Sequence, residues 1–215
     1  MHRTRIKICG IYQIDDALAA AQYGVDAIGL NFYAPSPRVV TLANALAIKV
    51  ALPPFVSTVA LFVNPEKSQV DEVIAALKPT ILQFHGDEDA DFCESFNMPY
   101  LKAIRIGGEM TGGDLLQYRV KFQSAQALLL DKLTADQYGG TGETFDWQII
   151  PHEMRKHIVL SGGLNPVNVA SAVRAIRPCA VDVSSGVEIG KGIKDHAKMA
   201  AFIQQAREAD QDANA

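Results

Sequence analysis

Short apolar runs rich in β-branched residues alternate along this chain with longer segments in which apolar residues recur at helical spacing. The short runs predict eight strands: Arg5–Cys9, Ala27–Phe32, Thr58–Val63, Ile81–Phe84, Leu101–Ile106, Ala127–Leu130, Ile158–Leu160 and Ala180–Val183. The longer segments predict a helix after each strand: Asp15–Tyr23, Leu42–Leu52, Glu66–Leu77, Asp89–Phe96, Leu115–Phe122, Asp146–Ile150, Val167–Ile176 and Ala197–Ala209. This alternation favours parallel pairing, because each helix returns the chain to the same edge of the sheet.

Eight repeated units predict an α/β fold, a single-domain (βα)8 TIM barrel of eight parallel strands over residues 1–215. An open, doubly wound sheet remains the alternative, since periodicity alone does not distinguish the two. Gly24 is placed to end the first helix in a left-handed conformation, and Asn64-Pro65 and Asn165-Pro166 are placed to begin two others. We expect the polar tail from about residue 208 onward to be frayed.

Composition and charge narrow the classes of function. The chain is 48% hydrophobic and has a net charge of −4 with both signs interspersed, which disfavours a nucleic-acid partner. No stretch approaches the roughly 20 apolar residues of a membrane span and no cleavable signal precedes the first strand, so we expect a cytoplasmic protein without a membrane partner. The three cysteines, Cys9, Cys93 and Cys179, lack CxxC spacing, so we expect reduced thiols and no metal site.

Polar residues follow most of the predicted strands. In a parallel barrel the active site forms at the carboxyl ends of the strands and in the loops after them, so these residues are the candidates for its chemistry. They are Cys9, Asn31, the Pro35–Arg38 loop, Asn64, His85, Arg105, Asp131, Ser161–Gly163 and Asp182–Gly186.

Three glycine-rich turns after the last three strands predict a phosphate site. Glycines let backbone N–H groups approach an anion closely, and a short helix beginning at Ser184 or Ser185 would direct its positive end toward it. Tight packing of the turns would also explain any one of these glycines. Their position at adjacent strands, where such barrels commonly bind phosphate, favours the phosphate site. The candidate residues are Gly140, Thr141, Gly142, Gly162, Gly163, Ser184, Ser185 and Gly186.

Two strand-end residues are candidates for proton transfer. Cys9 is a packing residue or, at a barrel mouth, a thiolate that acts as general base. Asp131 is a turn residue or a buried carboxyl that stays partly protonated and acts as general acid. Arg38 is either a surface charge or a clamp for a carboxylate. His85 is a ligand, a base or a hydrogen-bonded residue of the mouth, and we favour the last.

Seven ordered strings resemble the phosphoribosylanthranilate isomerase family over almost the entire chain. They are Lys7–Gly10, Ser36–Arg38, Gln83–Gly86, Leu129–Asp131, Gly139–Gly142 with Phe145–Trp147, Leu160–Leu164, and Asp182–Glu188 followed by Gly192, Lys194 and Asp195. The resemblance implies a cofactor-free barrel enzyme of tryptophan biosynthesis. It would convert N-(5-phosphoribosyl)anthranilate to 1-(2-carboxyphenylamino)-1-deoxyribulose 5-phosphate by an Amadori rearrangement. It implies Cys9 as base, Asp131 as acid, Arg38 on the anthranilate carboxylate and phosphate at the glycine-rich turns.

The order of strands in a barrel agrees with these roles. The first strand is flanked by the eighth and the second, so Cys9 is expected between the phosphate turns and the Arg38 loop, with Asp131 across the mouth. A small phosphosugar substrate with a carboxylated ring at its other end would extend across Cys9. We include His85 and Asp182 with Arg38 as candidate substrate-binding residues.

Two other kinds of function remain open. Another phosphosugar barrel enzyme, such as a ribulose-phosphate epimerase or an indole-glycerol-phosphate synthase, would share the phosphate turns. However, neither metal-binding histidines with paired aspartates nor a catalytic lysine and glutamate are apparent at the strand ends. A non-catalytic barrel that binds a phosphometabolite or a protein would lose the acid or the base, whereas Cys9 and Asp131 are both present. The sequence leaves protein partners and oligomeric state undecided.

Overall fold

Eight parallel strands close into a barrel in the computed structural model of the protein, which describes residues 3–132 and 144–212. The strands are β1 (Arg5–Cys9), β2 (Ala27–Asn31), β3 (Ser57–Phe62), β4 (Ile81–Phe84), β5 (Tyr100–Ile106), β6 (Ala127–Lys132), β7 (Ile158–Leu160) and β8 (Ala180–Val183). Each strand pairs with its neighbours in chain order, and β8 pairs with β1. The predicted barrel is confirmed, and the open sheet is wrong because the first and last strands are hydrogen-bonded to each other.

Seven α-helices lie within the described part of the chain. They are α1 (Ile14–Tyr23), α2 (Leu42–Ala51), α3 (Lys67–Leu77), α4 (Ala90–Glu94), α5 (Gly112–Lys121), α6 (Val169–Ile176) and α7 (His196–Asp212). The helix predicted at Asp146–Ile150 is a 3₁₀ turn, Trp147–Ile149, and a second 3₁₀ turn spans His152–His157. An antiparallel hairpin of β9 (Glu188–Gly190) and β10 (Ile193–Lys194) follows β8. None of the described helices has the length and apolar character needed to span a membrane.

The predicted helix starts at the two Asn-Pro pairs differ from the structure. Asn64 does not cap α3: its φ is 46°, its side-chain oxygen accepts a hydrogen bond from the N–H of Asp87, and the helix begins three residues later. Asn165 accepts hydrogen bonds from the N–H groups of Val167 and Asn168, which forms a turn before α6. Contacts with the loop after β4 therefore outweigh the local capping preference of Asn64.

The predicted helix end at Gly24 is confirmed, and residues 208–212 of the tail are helical instead of frayed, while residues 213–215 lie outside the described residues. Gly24 has a φ of 89° and its N–H donates to the carbonyl groups of the last turn of α1. Helix α7 continues beyond residue 208 to Asp212. Asp210 is buried there, and its carboxylate accepts hydrogen bonds from the backbone N–H and the hydroxyl of Thr4. This long-range contact, which the local polarity of the tail does not reveal, holds the end of α7.

Alternation along the strands separates an outer core from the barrel interior. Even-numbered positions such as Ile8, Phe84 and Leu130 belong to the main hydrophobic core between strands and helices. Along β1 to β7 the odd-numbered positions face the barrel axis, and in β8 the even-numbered Asp182 does so. On one side the inward residues form a separate apolar cluster that includes Leu129. The same inward row of β6 continues to Asp131. The interior therefore changes from apolar to polar toward the carboxyl ends of the strands.

Candidate active site

A cavity of about 560 Å³ opens at the carboxyl ends of the strands. The ten candidate catalytic, substrate-binding and phosphate-binding residues that the structure describes all line it: Cys9, Arg38, His85, Asp131, Gly162, Gly163, Asp182, Ser184, Ser185 and Gly186. The remaining candidates, Gly140, Thr141 and Gly142, lie outside the described residues. The barrel thus brings together residues that are up to 177 positions apart, from Cys9 to Gly186.

The Cys9 thiol is almost buried at one side of this mouth, with 7% of the residue exposed. Burial raises the pKa of the thiol above its ordinary value, and the carboxylate of Asp182 adds to this effect. The ammonium groups of Lys7 and Lys194 act in the opposite direction without reversing it. The thiol form therefore predominates at neutral pH, and a base at this position works through a small fraction of thiolate.

Asp131 lies across the mouth and is held by His85. The Nε2 atom of His85 is 3.2 Å from Oδ2 of Asp131, and the side-chain amide of Gln83 donates to Nδ1 of His85 at 2.9 Å. With this amide orientation Nδ1 is the acceptor, so the ring proton is on Nε2 and is donated to Asp131. The N–H of Lys132 donates to the other carboxylate oxygen at 2.9 Å. Both donors fix the position of the Asp131 carboxyl group at the wall of the cavity.

Both ring nitrogens of His85 are therefore engaged with protein side chains. This agrees with the hydrogen-bonded histidine that we favoured from the sequence. Its place in the cavity lining is compatible with a substrate contact as well, and that role stays a prediction.

Arg38 reaches the cavity but also makes a bidentate ion pair with Glu188. Its Nε and Nη2 atoms each donate to a carboxylate oxygen at 2.8 Å. Glu188 further accepts hydrogen bonds from Lys194 at 2.7 Å and from the N–H of Gly192 at 3.1 Å. Hydrogen bonding to Glu188 raises the pKa of Arg38, so the guanidinium stays charged. A guanidinium has more N–H donors than these contacts use, and the others are available to a substrate carboxylate.

The turns after β7 and β8 pack directly against each other. A Cβ on Gly186 would lie 1.9 Å from the carbonyl oxygen of Leu164, and Gly162 and Gly163 have φ values of 77° and 69°. Packing and backbone conformation therefore require these glycines whether or not a ligand is bound. The short helix predicted at Ser184 or Ser185 is a single 3₁₀ turn. Phosphate binding at these turns stays a prediction.

Two strand-end candidates do not line the cavity. Asn64 and Arg105 lie outside its lining, and both bond to Asp87 in the loop after β4. Among residues 3–132 and 144–212, no three His, Cys, Asp or Glu side chains form a cluster that would hold a metal ion.

The structure adds five polar residues to which the sequence assigned no separate role. They are Lys7, Gln83, Glu188, Lys191 and Lys194. Lys7 and Gln83 are polar residues inside predicted buried strands, and this is the pattern by which they could have been found. Glu188 and Lys194 meet through the β9–β10 hairpin, which the sequence pattern did not predict.

Comparisons with known proteins agree on one family. A family model described as N-(5'phosphoribosyl)anthranilate (PRA) isomerase matches residues 6–205. The N-(5'-phosphoribosyl)anthranilate isomerases of Pseudomonas fluorescens SBW25 and Nitrosomonas europaea are 51% and 49% identical to the chain, over 96% and 95% of its length and 97% and 96% of theirs. The crystal structure of phosphoribosyl anthranilate isomerase from Thermotoga maritima superposes with a TM-score of 0.85 at 40% identity, over 95% of this chain and 99% of that one.

A second related crystal structure contains a ligand. It is a phosphoribosyl anthranilate isomerase in complex with reduced 1-(o-carboxyphenylamino)-1-deoxyribulose 5-phosphate. It superposes with a TM-score of 0.82 at 38% identity, over 95% of this chain and 99% of that one.

Proposed function

The chain belongs to the N-(5'-phosphoribosyl)anthranilate isomerase family, and we propose that Cys9 and Asp131 carry the proton transfers of its reaction. The protein catalyses the Amadori rearrangement of N-(5-phosphoribosyl)anthranilate to 1-(2-carboxyphenylamino)-1-deoxyribulose 5-phosphate in tryptophan biosynthesis. This activity replaces the epimerase, the synthase and the non-catalytic barrel as alternatives. One observation carries the assignment of the two residues: a thiol and a carboxyl group line the same cavity from opposite sides of the barrel. Turnover of this substrate by the purified protein is the direct assay.

The chemistry needs an acid first and a base second. Asp131 protonates the furanose ring oxygen, the bond from that oxygen to C1 breaks, and the nitrogen lone pair forms an iminium. The iminium withdraws electrons from C2, and the Cys9 thiolate removes the C2 hydrogen as a proton. The electron pair of the broken C–H bond moves toward the iminium and gives an enolamine, which tautomerises to the ketose.

The neighbours of β1 support this placement of the substrate. The turns after β7 and β8 lie on one side of Cys9 and the Arg38 loop lies on the other. Phosphate bound at these turns and the anthranilate carboxylate bound at the Arg38 loop would place the sugar carbons over the thiol. The hydrogen bonds from His85 and Lys132 hold the Asp131 carboxyl group in place at the cavity wall.

Replacement of Arg38 by alanine is expected to lower kcat/KM by about tenfold to a hundredfold, because a hydrogen-bonded charge pair contributes roughly 1.5–3 kcal/mol. Arg38→Lys keeps the charge but loses the planar fork, so it should recover only part of the loss. Glu188→Gln serves as the control, since it weakens the same ion pair while leaving the guanidinium in place. Steady-state kinetics of the three variants measure these effects. Unchanged kcat/KM in Arg38→Ala would remove the residue from the binding site.

Exhaustive treatment with EDTA is expected to leave activity unchanged. The iminium is itself the electron sink for removal of the C2 proton, so this mechanism needs neither a Lewis acid nor a pyridoxal group. The measurement is kcat/KM before and after chelation and dialysis. Loss of activity that a divalent ion restores would contradict the cofactor-free mechanism.

We further propose that the enzyme is cytoplasmic and that its partner is the small phosphosugar substrate, without nucleic acid or membrane. The ligand in the related crystal structure supports a small phosphosugar. The net charge of −4 supports the absence of a nucleic-acid partner. Fractionation of cells that express the protein tests its location.

A further inference from the structure

A buried ion pair lies inside the barrel next to the proposed base. The ammonium of Lys7 on β1 is 2.9 Å from the carboxylate of Asp182 on β8, and both residues are only 4% exposed. The two residues are opposite each other in the register of β1 and β8. Burial of two charges costs solvation free energy that their attraction barely offsets, so such a pair contributes little to stability. Its presence in the interior favours a role in the site.

The backbone of β2 leaves room for the lysine and the thiol to meet. Gly29 is paired with Cys9 in the register of β1 and β2. A Cβ on Gly29 would lie 2.7 Å from Sγ of Cys9 and 3.0 Å from Nζ of Lys7. The sulfur and the ammonium thus occupy the same small space above this glycine, where any other side chain would displace them.

We propose that Lys7 is a positioning residue whose ammonium, held by Asp182, donates a hydrogen bond to Sγ of Cys9 and stabilises the thiolate. The proposal rests on the role of Cys9 as base given above. Asp182 fixes the position of the ammonium through its ion pair with Lys7. The thiolate then gains a charged donor before it removes the C2 proton, and the donor remains when the neutral thiol has formed.

The charges that face Cys9 give the direction of the effect. Lys7 on β1, Lys194 on β10 and Arg38 after β2 are cationic, and Asp182 on β8 is anionic. Burial acts to lower the pKa of Lys7, but Asp182 and Cys9 outweigh it and raise the pKa, so Lys7 is charged at neutral pH. Loss of the Lys7 ammonium leaves burial and Asp182, which both raise the pKa of the thiol, and Lys194, whose smaller effect lowers it, so the pKa rises.

The test is the rate at which iodoacetamide alkylates Cys9 as a function of pH, followed by mass spectrometry of the peptide that contains Cys9. In Lys7→Met we expect the midpoint of the profile to move to higher pH and the rate at neutral pH to fall by about tenfold or more, since the rate follows the thiolate fraction. We expect kcat/KM at neutral pH to fall by the same factor. KM should change little.

Lys102→Met is the matched control. Lys102 forms a buried ion pair of the same kind with Glu88 at 2.7 Å, but neither residue acts on Cys9. This variant should lose stability without a shift of the Cys9 profile. If Lys7→Met alone does not fold, the double variant Lys7→Met/Asp182→Asn leaves no unpaired charge. Its Cys9 profile should still move to higher pH, because Lys7 acts on the thiol more strongly than Asp182 does.

An unchanged alkylation profile in the folded Lys7 variants would overturn the proposal, even if activity falls, since the lysine would then have only a structural role. The alkylation measurement does not depend on catalysis. Failure of this proposal is therefore distinct from failure of the proposed base, which would appear as full activity in Cys9→Ala.

Discussion

Replacement of Cys9 by alanine is expected to abolish measurable turnover while leaving the affinity for a product analogue nearly unchanged. The thiolate acts on a proton that moves only in the chemical step, so its loss affects kcat rather than binding. A general base contributes about a hundredfold to ten-thousandfold, and we expect a loss at the upper end because the described cavity offers no second thiol. Single-turnover kinetics measure the loss of the chemical step, and the binding of reduced 1-(o-carboxyphenylamino)-1-deoxyribulose 5-phosphate, the reduced product, measures the affinity.

Serine at position 9 should not restore turnover, because a hydroxyl ionises far less readily than a thiol. The control is Cys93→Ala, which removes another buried thiol that lies outside the cavity lining. Its kcat should remain close to that of the wild-type protein. A Cys9→Ala variant that turns over at nearly the wild-type rate would make Cys9 a packing residue.

Replacement of Asp131 by asparagine is expected to lower kcat by about a hundredfold to ten-thousandfold, the range typical of a general acid. The amide has nearly the same shape and can form hydrogen bonds, but it cannot deliver a proton to the ring oxygen. Ring opening precedes removal of the C2 proton, so the whole reaction slows. The affinity for the reduced product should change little.

Asp87→Asn is the control for this substitution. Asp87 lies in the loop after β4 and pairs with Arg105 outside the cavity, so its loss should leave kcat nearly unchanged. If Asp131→Asn keeps more than about a tenth of the wild-type kcat, well short of an acid's usual contribution, Asp131 would be a turn residue. The acid would then be sought among His85 and Asp182.

The barrel could be predicted from the sequence because a buried parallel strand is a local feature. Four predicted strands, including β1 and β8, have the observed bounds. Their apolar runs end where the inward positions become polar, so the strand ends also identified Cys9 and Asp131. Helix boundaries are harder to predict than strands because contacts with distant residues decide them. Asn64, for example, bonds to the loop after β4 instead of capping α3.

The ion pairs around the site could not be predicted in the same way. Lys7 and Asp182 are 175 positions apart, and Arg38 and Glu188 are 150 apart. Only closure of the barrel and the hairpin after β8 brings these partners together. The sequence therefore indicated which residues reach the mouth, but not that Arg38 is shared with Glu188 or that burial raises the pKa of Cys9.

The ratio of kcat/KM in Asp131→Asn to that in the wild-type protein, measured across pH, tests the assignment of acid and base most directly. Substrate ionisations cancel in this ratio. If Asp131 must donate a proton, wild-type activity requires its protonated form, which becomes scarcer as pH rises, whereas the variant has no such requirement. We predict that the ratio rises with pH and that the variant's own kcat/KM increases through neutral pH, as the raised pKa of the Cys9 thiol requires. A ratio that stays constant across pH would contradict the account.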